Sequence, residues 1–301
     1  AALKPLSTWA ALDIIQEARE ACGGQGFLAE NRLVQLRADL DVYATFEGDN
    51  NVLLQLVAKR LLTDYSRKFA KADAGALASF VVEQVGNAAV HRTGLRRLAQ
   101  SVADFGSTAR SVGYVRGSAA QRQLLTDRVE TMVAELAGRL RPASKLPKAE
   151  AAALFNRHQN ELIEAARAHG ELLQWEAFTD ALDDVADPGT KQVLTWLRDL
   201  FGFTLIEKNL AWYLIHGRLS GQRAQAITEY IDGRLLPRLR PHALPLTEAF
   251  GLRPEHIRAE IATGVEHERQ EEARAYFADL RSRGLAPIDE KDLVAAKGAR
   301  R

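Results

Sequence analysis

The residues with the clearest chemical potential lie at positions 45–50, which read Thr-Phe-Glu-Gly-Asp-Asn. Glu47 precedes a strongly apolar segment, and Gly48 beside it lets another group approach the backbone closely. A carboxylate in a dry apolar pocket is a better proton acceptor than one in water. We therefore predict a general base at Glu47. In the structural alternative, Glu47 and Asp49 only bring negative charge to a helix N-terminus.

A second candidate is the glycine turn at residues 21–27, Ala-Cys-Gly-Gly-Gln-Gly-Phe. Phosphate-binding loops need a strand before their glycines and a helix after them, whereas here a predicted helix comes first. Taken alone, Gly23 and Gly24 are typical of a helix C-cap followed by a tight turn. The functional alternative is that exposed backbone N–H groups of this turn hold a pyrophosphate.

Composition excludes several classes of function. The formal net charge of the 301 residues is +1. Such a small charge provides no positive electrostatic potential that would attract a nucleic acid, so we expect no nucleic-acid partner. The apolar runs are too short for a membrane span. The single cysteine, Cys22, excludes an internal disulfide and a multi-cysteine metal site, and we expect no metal. The opening Ala1 and the single methionine suggest part of a larger polypeptide.

The apolar periodicity predicts an all-α protein. Two domains are expected, residues 1–72 and residues 73–301. The region between the two motifs is expected to be extended or mixed, and the stretch at 94–117 is expected to be variable. Helices are predicted at residues 8–22, from 49 or 50 onwards, and at 75–88, 119–140, 149–169, 172–185, 193–214 with a bend at Gly202, 224–236, 254–263 and 266–283.

Read together, the two motifs resemble the acyl-CoA dehydrogenase and acyl-CoA oxidase superfamily. The family pattern is Arg-x-x-Cys-Gly-Gly-x-Gly-Tyr or Phe, then arginines and an aspartate, then Thr-Phe-Glu-Gly-Asp-Asn, then an apolar helix ending in Ala-Arg-x-Leu-Leu. The sequence of these motifs is nearer that of the oxidase-like branch. This chain matches the pattern at residues 19–27, Arg32, Arg37, Asp39, residues 45–50 and residues 58–62, where Lys59 stands in place of the pattern's arginine.

The resemblance implies a fold and a reaction. The first domain would be the C-terminal helical bundle of the acyl-CoA dehydrogenase fold, and the second an additional α-helical domain. Glu47 would remove the α-proton of an acyl-CoA thioester while hydride leaves the β-carbon for FAD. The product would be a trans-2-enoyl-CoA, as in fatty-acid β-oxidation. Whether the electron acceptor is that of an oxidase or that of a dehydrogenase stays open.

The same resemblance implies the cofactor contacts. Glu20, Gly23 and Gly24 would touch an FAD bound mainly by a partner subunit, and the segment formed by Gly48, Asp49 and Asn50 would lie against the chain's own flavin. A homodimer or higher homo-oligomer is therefore expected.

Without the missing N-terminal portion, the chain alone should bind FAD weakly or not at all and be inactive. Its last three residues are not a Ser-Lys-Leu address, so a cytoplasmic location is expected. The alternative is a non-catalytic module for dimerisation or partner binding that keeps a degenerate flavin motif.

Overall fold

The computed structural model describes residues 1–71 and 117–285. Across these residues the chain forms helices and no strand, which confirms the all-α prediction. The predicted helix at 75–88, the boundary near residue 72 and nearly all of the stretch at 94–117 lie outside the described residues. None of the described helices is long and apolar enough to cross a membrane.

Thirteen α-helices are described, and short 3-10 turns and one π-helical turn (Ile231–Leu235) connect several of them. They are α1 (Leu3–Ala21), α2 (Leu33–Asp41), α3 (Asn50–Lys71), α4 (Ser118–Leu140), α5 (Lys148–Arg157), α6 (Gln159–Ala181), α7 (Pro188–Lys208), α8 (Leu210–Ile215), α9 (Gly221–Tyr230), α10 (Leu236–Leu239), α11 (Ala243–Glu248), α12 (Glu260–Thr263) and α13 (Val265–Ser282).

The chain divides into two compact units. The first contains Ala1–Ala11 and Val42–Glu248, and the second contains Leu12–Asp41 and Ala249–Arg301. A hydrophobic core fills the first unit, where helices α3, α4, α6 and α7 contribute fully buried side chains such as Leu54, Trp175 and Phe203. Burying such large side chains is the main stabilising contribution to a helical unit of this kind.

Gly202, where a bend was predicted, and Gly170, where a helix boundary was predicted, are points of close packing. Helix α7 continues through Gly202, where an added Cβ would lie 2.7 Å from the indole Nε1 of Trp175, and the helix ends before Asn209. Helix α6 likewise continues through Gly170, where a Cβ would lie 2.6 Å from Leu6 Cδ1. The predicted division between residues 169 and 172 is therefore wrong, and the helices separate at His158.

Two other predicted segments differ from the structure. The region expected to be extended or mixed contains helix α2 and two 3-10 turns (Ala29–Asn31 and Val42–Ala44), because Leu33–Asp41 satisfies its backbone hydrogen bonds within a helix. Residues 254–263 form a 3-10 turn followed by the short α12 instead of one continuous helix.

We expect Gly202→Ala to lower the free energy of unfolding by about 1–3 kcal/mol, because the new methyl group overpacks the contact with Gln121 and Trp175. Gly138→Ala is the matched control, since it also lies within a helix but has no atom near the added Cβ. That variant should gain about 0.5–1 kcal/mol from helix propensity. Chemical denaturation measures both, and equal stability of the two variants would contradict the packing interpretation.

Candidate active site

Glu47 lies in a backbone turn that L-residues rarely adopt. A 3-10 turn (Val42–Ala44) precedes it, and the Phe46 N–H donates to the Val42 carbonyl at 2.8 Å. Glu47 then has φ +57° and Gly48 has φ +102°. The left-handed conformation costs a residue with a side chain roughly 1–2 kcal/mol. Strain of this kind at a non-glycine residue is a reason to look for a function.

Asp49, and not Glu47, caps the helix that follows. One Asp49 carboxylate oxygen accepts the backbone N–H of Asn51 at 2.8 Å and that of Val52 at 3.2 Å. The carboxylate of Glu47 is exposed and has no hydrogen-bond or ion-pair partner among residues 1–71 and 117–285. Asp49 therefore supplies the negative charge and the cap at this helix N-terminus. Among the described residues, the Glu47 carboxylate takes no part in that cap.

Lys4 and Asn50 fix the turn to helix α1. Asn50 is 1% exposed; its Oδ1 accepts from Lys4 Nζ at 2.7 Å, and its Nδ2 donates to Thr8 Oγ1 at 3.0 Å. Lys4 Nζ also donates to the Gly48 carbonyl at 2.7 Å. The amide of Asn50 thus has a structural role, and its flavin contact stays a prediction. Sequence reasoning missed Lys4 and Thr8 because nothing local pairs them with Asn50.

The dry pocket expected around Glu47 is not formed by the described residues, since the side chain is exposed. The neighbouring large apolar side chains are exposed as well. Phe46 is 54% exposed and meets Tyr43 edge to face, with ring centroids 5.9 Å apart. Other exposed apolar side chains of this segment are Val42, Val52 and Leu56.

The three glycines of the second motif have different reasons to be glycine. Gly23 has φ +57° directly after α1 and Cys22, which fits the predicted helix C-cap. Gly26 is buried, and an added Cβ would clash with the backbone carbonyl of Arg19. Gly24 is exposed, has no positive φ and has nothing within 4 Å of an added Cβ. Neither conformation nor packing within the chain therefore requires glycine at position 24.

Glu20 lies on the exposed side of α1, where it accepts a hydrogen bond from Gln16 Nε2 at 2.5 Å. Glu20 and the glycine turn belong to the second compact unit, whereas Glu47, Gly48, Asp49 and Asn50 belong to the first. Within each unit the predicted site residues are brought together by backbone geometry.

Comparison with known proteins identifies the family. Residues 1–62 match the model of the acyl-CoA oxidase C-alpha1 domain, and residues 118–263 match the acyl-CoA oxidase model. The chain belongs to the acyl-CoA oxidase family. This narrows the broader superfamily that the motifs resemble to its oxidase branch, and both motifs lie within the first matched segment.

Among relatives, acyl-coenzyme A oxidase 2 of Arabidopsis thaliana is 33% identical over 87% of this chain and 36% of its own length. Among solved structures, an acyl-CoA oxidase from tomato has a TM-score of 0.70 at 25% identity, covering 91% of this chain and 39% of that one. Acyl-CoA oxidase-1 of Caenorhabditis elegans, solved with FAD and ATP, has a TM-score of 0.68 at 18% identity, with 91% and 39% covered. The chain thus spans about a third of the length of the curated relatives it matches.

The expected cytoplasmic location is contradicted. Relatives from Arabidopsis and human carry the word peroxisomal in their names. The expectation was based on the absence of one short C-terminal address, and other targeting signals cannot be derived from that position.

Proposed function

We propose that this chain is the C-terminal part of an acyl-CoA oxidase and that it supplies the catalytic base, Glu47. The observation that carries the proposal is the strained backbone of Glu47, whose exposed carboxylate has no partner among the described residues, within the segment that matches the acyl-CoA oxidase C-alpha1 domain. The reaction is the α,β-dehydrogenation of an acyl-CoA thioester to a trans-2-enoyl-CoA, with O2 as the final electron acceptor.

Proton removal is the step that this chain's own residues perform. A carboxylate oxygen of Glu47 accepts the α-proton, and negative charge develops on the thioester oxygen. Because a hydrogen beside a thioester is far less acidic than a carboxylic acid, that oxygen needs hydrogen-bond donors as charge forms. The backbone N–H of Glu47 is one such donor. Lys4 and Asn50 keep the left-handed turn that carries this N–H in place.

A dry environment is part of the proposal. The described residues leave Glu47 exposed between exposed apolar side chains, so we propose that substrate and the rest of the full-length protein cover this surface. Exclusion of water strengthens the hydrogen bonds to the developing oxyanion. The acyl-chain length of the substrate, which the sequence does not determine, depends on that covering part.

The glycine turn fits a flavin cofactor in one specific respect. Gly24 leaves open space on an exposed turn, as close approach of a phosphate group to the backbone would require. We propose that Glu20, Gly23 and Gly24 contact FAD held mainly by a partner subunit and that Gly48, Asp49 and Asn50 lie against the chain's own flavin. When bound at these residues, FAD would supply the redox chemistry, namely hydride acceptance from the β-carbon and electron transfer to O2 to give hydrogen peroxide.

We expect Gly24→Val in the full-length protein to lower FAD occupancy by about tenfold or more without lowering the stability of the flavin-free protein, because the new side chain occupies only the space of the ligand. Gly26→Ala is the contrast, since its Cβ meets the Arg19 backbone and should destabilise the fold itself. Flavin absorbance and thermal unfolding measure the two effects. Full FAD occupancy in Gly24→Val would remove the turn from the cofactor site.

The proposed function is tested by assaying the full-length protein with acyl-CoAs of graded chain length. Oxygen consumption is compared with reduction of an artificial electron acceptor. An oxidase produces one hydrogen peroxide per enoyl-CoA, and this is the expected result. A full-length protein that purifies without flavin and binds none on addition would contradict the proposal and favour the non-catalytic assembly module.

A further inference from the structure

Glu266 stands out on helix α13. All residues of this helix are described, and Glu266 is the only buried one, with 8% exposure. Other acidic residues of the same helix, such as Glu268 and Glu272, are exposed as expected for a solvated surface. A carboxylate is rarely withdrawn from water unless hydrogen-bond donors replace its hydration.

Four donors surround the Glu266 carboxylate. Gln25 Nε2 donates to Oε1 at 2.6 Å, and Gln270 Nε2 donates to the same oxygen at 2.7 Å. Arg269 donates to Oε2 through Nε at 3.0 Å and also through Nη2. Hydrogen bonds from Gln270 and then from Arg269 lower the pKa of Glu266, so it stays ionised at neutral pH. Gln25 is the one donor that lies outside helix α13.

Gln25 lies between Gly24 and Gly26 in the glycine turn. Its side-chain Oε1 accepts from Asn31 Nδ2 at 3.0 Å, and its backbone carbonyl accepts from the same Nδ2 at 2.9 Å. Asn31 is 1% exposed, and its Oδ1 accepts the backbone N–H of Ile261 at 2.9 Å. Two separate links therefore tie the turn to the segment that contains α12 and α13, one through Gln25 and one through Asn31.

The adjacent glycines cannot hold the turn themselves, because Gly23 and Gly24 are exposed and have no side chains with which to pack. Glycine also has the largest backbone freedom to lose on ordering. The conformation of the exposed half of the turn therefore depends on the anchored Gln25 that follows it.

We propose that Glu266 is a positioning residue for the flavin-binding turn: through Gln25 it holds the backbone at Gly23 and Gly24 in the conformation that receives FAD. The inference rests on the proposed function, since it assumes that this turn contacts FAD. Helix α13, which lies far along the chain from either motif, thereby has a part in cofactor binding.

The test uses the full-length protein and measures the FAD dissociation constant by flavin fluorescence for wild type, Glu266→Ala, Glu266→Gln and Glu268→Ala. We expect Glu266→Ala to raise the dissociation constant about tenfold, as loss of a charge-assisted hydrogen bond would. Glu266→Gln keeps an acceptor for Gln25 and should stay within about threefold of wild type. Glu268→Ala removes an exposed charge from the same helix and should match wild type.

Two further readouts separate positioning from a general effect. At saturating FAD, kcat of Glu266→Ala should equal that of wild type, because only the binding geometry changes. In the flavin-free protein, the amides of residues 23–27 should exchange hydrogen faster in Glu266→Ala, and the double variant with Gln25→Ala should exchange no faster than Gln25→Ala alone. This exchange result does not require FAD binding, so it fails independently of the proposed function.

An unchanged FAD dissociation constant in a folded Glu266→Ala variant would overturn the inference, as would an equal loss in Glu268→Ala. If Glu266→Ala does not fold, Gln25→Ala removes the same link from the other side, and the same outcomes apply to it. A wild-type protein that binds no FAD would instead overturn the proposed function.

Discussion

Glu47→Gln in the full-length protein is expected to lower the rate of flavin reduction by acyl-CoA roughly 10²- to 10⁴-fold, the range that a general base contributes. The amide has nearly the same shape but does not accept a proton from carbon. Because the side chain is exposed and makes no hydrogen bond to the described residues, the substitution should leave stability and FAD content unchanged. Anaerobic rapid mixing with acyl-CoA measures the rate.

Glu150→Gln is the control for this experiment, since it neutralises another exposed carboxylate, on helix α5 of the same unit. It should reduce flavin at the wild-type rate. A second comparison uses Glu47→Asn, because asparagine tolerates the left-handed conformation better than most residues. That variant should be at least as stable as wild type and as inactive as Glu47→Gln. This result would separate the effect of backbone strain from that of the carboxylate. Wild-type reduction by either Glu47 variant would contradict the role of the carboxylate.

The second large effect concerns a buried ion pair in the first unit. Arg128 on α4 and Glu171 on α6 are 3% and 5% exposed, and Arg128 Nη1 donates to Glu171 Oε2 at 2.8 Å. Glu171→Ala leaves the guanidinium buried, and among the described residues its remaining ion-pair partner is the half-exposed Glu164 carboxylate, 3.9 Å away. We expect the variant to lose about 3–5 kcal/mol of unfolding free energy, measured by chemical denaturation.

The pair itself need not stabilise the protein relative to apolar residues. The double variant Arg128→Met with Glu171→Leu should recover most of the lost stability, because two apolar side chains replace two desolvated charges. Glu164→Ala, which removes the more exposed partner, should cost no more than about 1 kcal/mol. A small effect of Glu171→Ala, or no recovery in the double variant, would contradict this interpretation of the buried pair.

Local patterns predicted much of the fold. The periodic apolar positions indicated most helices of the first unit. Asp49 was one of two predicted caps for α3, and the structure confirms it through two backbone N–H groups. Gly23 ends α1 with a positive φ, as its position after the helix indicated. These features depend on neighbours in sequence, which is why they can be derived from sequence alone.

The remaining features depend on residues distant in sequence. A helix boundary was predicted at Gly170 and a bend at Gly202, but each glycine makes room for another segment that no local pattern reveals. The anchoring of Asn50 by Lys4 crosses 46 positions, and the link between Gln25 and Glu266 crosses 241. A buried glutamate in a helix rich in charged residues has no sequence signal of its own, since only the folded partner distinguishes it from its exposed neighbours.

The structure also changes the interpretation of the predicted base. The sequence indicated a carboxylate enclosed by apolar side chains, whereas the structure presents an exposed carboxylate on a strained turn. The proposal is therefore that substrate and the rest of the full-length protein enclose this carboxylate. Among the described residues, the contribution to the proposed chemistry is the Glu47 carboxylate on its left-handed turn, and not a surrounding pocket.

The most direct test of the central claim follows the α-hydrogen itself. Full-length protein with its flavin chemically reduced, so that hydride transfer is blocked, is incubated with acyl-CoA in D2O, and deuterium at the α-carbon is measured by mass spectrometry. We predict rapid incorporation by wild type and none above background by Glu47→Gln with equal flavin content. Incorporation at the wild-type rate by Glu47→Gln would contradict the assignment of Glu47 as the base.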